Sequence, residues 1–256
     1  MKSLRATTTP RVVLLDVGYT LLKPYPSIEE VCHDVSRRLG IDLSVEQLQG
    51  TRHRVEGYYY TARNAEPHIW AAEETVRRFW VAFYSEWLRL SGLDGQAEHL
   101  AEAIYDEFAA PERWTTYPDV LPALEELTVL GLRLGAVSDW GLQLAPILHG
   151  MALSRYLEFA VVSASVGAAK PDAYLYELAL ARAAATAEET WHVGDDYRND
   201  VLGARGAGVY PVLLDRSGKA PRVDCPLIHD LRELPALVRA AGCRRLDSGE
   251  RRELAR

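Results

Sequence analysis

Arg11-Val-Val-Leu-Leu-Asp16-Val-Gly18-Tyr-Thr20 is the stretch from which the fold is read. A short apolar run bounded by a turn signal has the character of a buried strand. Asp16 then stands at the carboxyl end of that strand, the edge where open α/β sheets seat their ligands. A carboxylate there is costly unless a metal, a substrate or hydrogen bonds compensate it. Taken alone, Asp16 reads first as a turn or helix-capping residue, because Asp is common in both. The rest of the chain changes that reading.

Downstream, Pro24 and Pro26 break the first unit. From Ser27 to about Ala110 the pattern is helical. Ser27 followed by Glu30 has the form of a capping box, and Ile28, Val31, Val35 and Leu39 follow at helical spacing until Gly40. Ser44 opens a second helix, a third is expected from about His68 to Leu90, and a fourth after Asp94. The stripe Trp70, Phe79, Trp80, Phe83 and Trp87 has the spacing of a helical core. Pro111 to Pro118 is expected as the return linker. Beyond it, strands ending in Ser138, Ser163, Gly194 and Leu214 alternate with helices, which is the pattern of a parallel, doubly wound α/β sheet. The expected organisation is an α/β core over 1–23 and 116–242, a helical domain inserted over 24–115, and a charged flexible tail over 243–256.

In a parallel sheet the strand ends share one edge. That edge collects Asp16, Ser138, the Lys170-Pro171 stretch, and Asp195 with Asp200. Acids, a hydroxyl and an amine together suit a phosphoryl group held beside Mg²⁺, which takes oxygen ligands and keeps several waters. Asp16 and Asp195 are candidate carboxylate ligands and Gly18 a candidate carbonyl ligand. Lys170 can neutralise nucleophile and phosphate, and the Ser138 hydroxyl can donate to a phosphate oxygen.

These stretches carry a resemblance to the haloacid dehalogenase-like (HAD) hydrolases, subfamily I, with a helical cap after the first strand. Asp16-Val-Gly-Tyr-Thr20 resembles the first motif, Val137-Ser138-Asp139-Trp140 the second, and Lys170-Pro171 the third. Gly194-Asp195-Asp196-Tyr-Arg-Asn199-Asp200, continuing to Gly208, is similar to the fourth. The order is that of the family. The resemblance implies a Rossmann-like core and a Mg²⁺-dependent phosphatase acting on a small phosphorylated metabolite. Asp16 would be the nucleophile that forms an aspartyl-phosphate. Thr20, Ser138, Asp139 and Lys170 would bind substrate. Asp16, Gly18, Asp195 and Asp200 would form the metal site, with Asp200 acting through water or holding Lys170.

One departure stands out. The family's phosphatases carry a second Asp two residues after the nucleophile, as general acid and base; here that residue is Gly18. Such a group is worth about 10²–10⁴-fold in rate. Three alternatives follow: a phosphatase with a good leaving group or a substitute acid from His33, His53, His68 or Tyr58–Tyr60; a dehalogenase-type hydrolase, against which Asp195 and Asp200 count; or a HAD-fold binding or regulatory protein. A cap-lysine Schiff base is disfavoured, since no Lys lies between Pro24 and Val120. His192 is expected as a core histidine, and the glycines after Asp200 as helix packing and a helix stop rather than a dinucleotide site.

Composition narrows the field further. A net charge of -7 argues against nucleic acid as partner. No apolar run approaches the ~18 residues of a membrane helix, and Met1–Pro10 lacks a secretory signal. Cys32, Cys225 and Cys243 have neither pairing nor metal spacing, consistent with a reducing, cytoplasmic setting. The sequence leaves oligomeric state open.

Overall fold

The computed structural model describes residues 9–66 and 68–242. β1 (Val12–Leu15) lies inside a six-stranded parallel sheet and is wholly buried. Its side chains alternate between two apolar layers. Val13 and Leu15 join one cluster, Val12 and Leu14 the other. A strand covered on both faces must be apolar at every position, which is why this one reads as a continuous run rather than an alternation.

The chain then forms the short β2 (Leu22–Pro24) and enters the inserted helices: α1 (Ile28–Arg38), α2 (Val45–Ala65), α3 (Glu73–Leu90) and α4 (Ala97–Glu107). These build a core of their own around Val31, Val35, Leu48, Trp87, Leu100 and Ile104. Ser44 opens α2 with a reciprocal capping box to Gln47. Ser27 does not: the Glu30 amide donates to its hydroxyl, but the Glu30 carboxylate returns to that same hydroxyl rather than to the backbone. The third helix starts at Glu73, not His68, because His68 to Ala72 is a run of turns and bends ending in extended backbone at Ala72. Trp70 therefore stands outside the helical stripe. With Ile69, Val76 and Phe79 it packs on Ala169 of the α/β unit, so part of the aromatic set forms the seam between the two units.

The return stretch is not a bare linker. β3 (Trp114–Thr116) pairs antiparallel with β2, Leu22 opposite Thr116, so both crossings between the units form one hydrogen-bonded ribbon. Two strands of three residues, one of them ending in Pro24, give no periodicity to read.

The α/β unit continues with α5 (Val120–Val129), β4 (Arg133–Ser138), α6 (Leu144–Gly150), β5 (Leu157–Val162), the single turn α7 (Ser163–Val166), α8 (Ala173–Ala183), β6 (Thr190–Gly194), a wide π-type turn over Tyr197–Leu202 running into α9 (Gly203–Gly206), β7 (Tyr210–Leu214) and β8 (Leu227–Ile228), closing with a helix over 234–242. The sheet order is β5-β4-β1-β6-β7-β8. The carboxyl ends of β4, β1 and β6 are thus neighbours, and they carry Ser138, Asp16 and Asp195. No helix among the described residues is long and apolar enough to cross a membrane. The tail expected over 243–256, with Cys243, lies outside the described residues.

Candidate active site

The Lys170 ammonium ties the site together. It donates to Asp16 Oδ1 at 2.6 Å and to Asp200 Oδ1 at 2.8 Å, all three side chains being buried. Burial alone would lower the Lys170 pKa, but Asp16, Asp200 and Asp139 outweigh it and hold the ammonium well above its ordinary range. Burial likewise works against the Asp200 carboxylate. Lys170 and His192 win there, and hold it well below the usual carboxylate range. Asp16 is pushed up by burial and by Asp200, against the pull of Lys170.

Asp200 is engaged at both oxygens. Oδ1 also meets His192 Nε2 at 3.0 Å, and Oδ2 accepts from the Asp196 amide at 2.9 Å. Its geometry is that of a residue holding Lys170 and the turn, which leaves Asp16 and Asp195 as the freer donors. Gly194 makes room for this: a Cβ there would lie 2.2 Å from Asp200 Cγ. Asp195, Asp16 and Asp200 each bring a carboxylate oxygen within 4.8 Å of the others. Asp195 lies at the open rim. Desolvation and then the charges of Asp16 and Asp200 push its carboxyl up to about 8. Since the residue stays exposed, repulsion is the firmer of these two causes. Three acids against one ammonium form a set short of positive charge. Hard oxygen donors of this kind suit Mg²⁺ rather than a thiolate- or imidazole-seeking metal.

The other expected site residues converge on the same edge. Ser138 is buried at the end of β4. Thr20 Oγ1 is buried without a protein partner, and its carbonyl accepts from Arg216. Asp139 accepts the Lys170 amide on Oδ1 at 2.9 Å, while its Oδ2 is buried and unpartnered. Burial is the main cause that raises the Asp139 pKa to about 7.

Several contacts here carry no signature in the sequence. His192 is a core residue, as its strand position implies, but its Nε2 braces Asp200 and its Nδ1 has no partner. Arg216 donates to the Tyr19 and Thr20 carbonyls and to both Asp119 oxygens, and stacks over Tyr117 at 3.8 Å. It pins the loop after Asp16 to the segment returning from the inserted helices. Arg63, in the last turn of α2, reaches Asp196 Oδ2 at 2.7 Å, while Asp196 Oδ1 caps the turn that delivers Asp200. The proposed substitute acids fare differently. His33 Nδ1 lies on the Leu43 carbonyl at 2.6 Å, His53, His68 and Tyr60 are exposed, and Tyr59 packs among the aromatics of the inserted helices.

Comparison with known proteins agrees with this geometry. The family model for haloacid dehalogenase-like hydrolases matches residues 10–208. The chain is 31% identical over 240 residues to the Danio rerio protein "Haloacid dehalogenase-like hydrolase domain-containing protein 3", covering 88% of this chain and 95% of that one. It is 29% identical over 224 residues to a Thermus thermophilus phosphoserine phosphatase, covering 80% and 89%. Among solved structures, a 2-haloacid dehalogenase from Pseudomonas syringae superposes with a TM-score of 0.61 at 25% identity, covering 90% and 98%. The chain belongs to the haloacid dehalogenase-like hydrolase family.

Proposed function

We propose that the chain is a Mg²⁺-dependent phosphatase that hydrolyses a small phosphorylated metabolite through an aspartyl-phosphate on Asp16. The observation that carries this reading is Lys170 held between Asp16 and Asp200, with the Asp195 carboxylate converging on the same point. Lys170 fixes Asp16 through Oδ1 and leaves Oδ2 to attack phosphorus. The Ser138 hydroxyl and the unpartnered Thr20 hydroxyl are donors available to the phosphoryl oxygens. Mg²⁺ would be held by Asp16, Asp195 and the Gly18 carbonyl, with Asp200 behind them, and supplies charge neutralisation and a template for in-line transfer. The phosphatase name of the Thermus thermophilus relative supports the same chemistry.

The deciding experiment is turnover of p-nitrophenyl phosphate, with Mg²⁺ and with EDTA, by wild type and Asp16→Asn. Mg²⁺-dependent turnover lost in the variant is expected. Turnover unchanged in Asp16→Asn would remove the mechanism. Gly18 favours a second reading, attack of Asp16 on a carbon–halogen bond, which needs no leaving-group acid. The acids at Asp195 and Asp200 weigh against it. Metal-independent halide release from a 2-chloro acid, without phosphate release from esters, would put it first. A folded protein inactive in both assays would point to a binding or regulatory role.

A further inference from the structure

Gly18 has no side chain, and an aromatic ring flanks it. A Cβ on Gly18 would meet the Trp140 indole, Cζ3 at 3.4 Å, and no other residue within 4 Å. That ring is fixed. The Trp140 amide donates to Ser163 Oγ at 3.0 Å, and the Ser163 hydroxyl donates back to the Trp140 carbonyl at 3.2 Å. Trp140 packs on Trp114 of the hinge ribbon, ring centroids 4.7 Å apart. Trp114 is anchored in turn through Nε1 to the Phe108 carbonyl at 2.9 Å. A wall of two half-buried indoles thus runs from the loop after β4 to the entry of the inserted helices. It is no source of protons: the Trp114 N–H is spent on Phe108, and Trp140 presents ring carbons to Gly18.

Transfer of a phosphoryl group to Asp16 breaks the bond from phosphorus to the leaving oxygen, whose electron pair goes with it. An alkoxide needs a proton as it departs. An oxyanion stabilised by resonance does not. We propose, resting on the phosphatase reading, that this chain acts on phosphates whose leaving group departs as an unprotonated planar oxyanion, the aryl, enol or acyl phosphates, seated against the Trp114–Trp140 wall. Asp16 Oδ2 bonds to phosphorus, and the leaving oxygen departs as phenolate, enolate or carboxylate with no proton from the protein. Water then attacks the phosphorus of the aspartyl-phosphate, the Asp16–phosphorus bond breaks, Asp16 recovers its carboxylate, and the water proton passes to solvent. With no base beside Gly18, this second step is the slower one.

The test is kcat/KM, with Mg²⁺, across aryl phosphates of graded leaving-group pKa, acetyl phosphate and a simple alkyl phosphate. The expected result is a steady fall as leaving-group pKa rises, with the alkyl ester at least ~10²-fold below the best aryl ester. A burst of one equivalent of phenol and a common kcat for the good leaving groups are also expected, since all pass through one intermediate. Trp140→Ala is expected to raise KM for aryl phosphates relative to acetyl phosphate by roughly 2- to 10-fold, the loss of one aromatic contact. Gly18→Asp, whose Cβ would be in ordinary van der Waals contact with the indole, is expected to improve the alkyl ester by supplying the missing acid. Alkyl and aryl esters within tenfold of each other in wild type would overturn the proposal. If Asp139→Asn then made that flat series steep, Asp139 would be the missing acid. No turnover of any phosphate by folded protein would sink the phosphatase reading and this proposal together.

Discussion

The charged edge of the sheet and the aromatic core of the inserted helices are held together by opposite means. Lys170, Asp16, Asp200 and His192 bond to one another out of water at 2.6–3.0 Å. Tyr59, Phe79, Trp80, Phe83 and Tyr84 instead pack ring against ring, with centroids between 5.3 and 6.2 Å. Dispersion is divided among many small contacts, so one ring there can change and leave its neighbours satisfied. A buried charge cannot: removing one partner leaves the other uncompensated. The difference teaches that the charged edge is built where substitution is least tolerated, while the inserted helices can vary their packing.

Lys170→Met tests this contrast most severely. It leaves the buried Asp16 and Asp200 carboxylates without their shared ammonium, so a loss of about 3–5 kcal/mol in urea unfolding is expected, together with loss of turnover. Adding Asp200→Asn should recover part of the stability and none of the activity. A Lys170→Met protein as stable as wild type would break the comparison. The counterpart in the inserted helices is Trp87→Phe. Trp87 is 1% exposed, and its Nε1 donates to the Leu48 carbonyl at 3.0 Å and to Thr51 Oγ1. A loss of about 1–3 kcal/mol is expected, with kcat unchanged in steady-state assays.

Asp139→Asn sharpens the contrast through pH. The folded Asp139 pKa is raised to about 7 from 3.8, so the native state holds a proton that the unfolded chain has released. Its penalty is absent below pH ~4, grows as pH rises, and is complete above pH ~7. The Asn variant, which still accepts the Lys170 amide, should therefore be more stable than wild type at pH 8 and equal to it near pH 4. Denaturant midpoints across that range check the sign. The smallest stability effect belongs to Arg63→Ala. The Arg63 and Asp196 side chains are 19% and 32% exposed, and such a pair is worth at most about 1 kcal/mol. The expected change is a higher KM at unaltered kcat, from looser contact between α2 and the turn that carries Asp200.

The core strands and the strand-end residues Asp16, Ser138 and Asp195 were legible because each signal is local in the chain, whereas Lys170, beyond α7, and Asp200, inside the turn after β6, were marked by the motif resemblance. A strand buried on both faces must be continuously apolar, and the polar residue that ends it must lie on the ligand edge. The inserted helices were legible by their period, although the start of α3 was misplaced where turns around Trp70 imitate that period. The remaining features are pairings between segments far apart in sequence. The β2–β3 ribbon, Arg63 on Asp196, Arg216 on the loop after Asp16 and Trp140 on Gly18 have no local pattern. A residue's neighbours in the chain report whether it is buried and with what period. Which distant partner meets it depends on how the crossovers bring loops together at one end of the sheet. By itself, then, the sequence determined the α/β core, the helical insertion and the set of polar groups at the edge. Only the tertiary structure decided that Asp200 spends both oxygens on its neighbours, that His192 braces it, and that the Trp140 indole flanks Gly18.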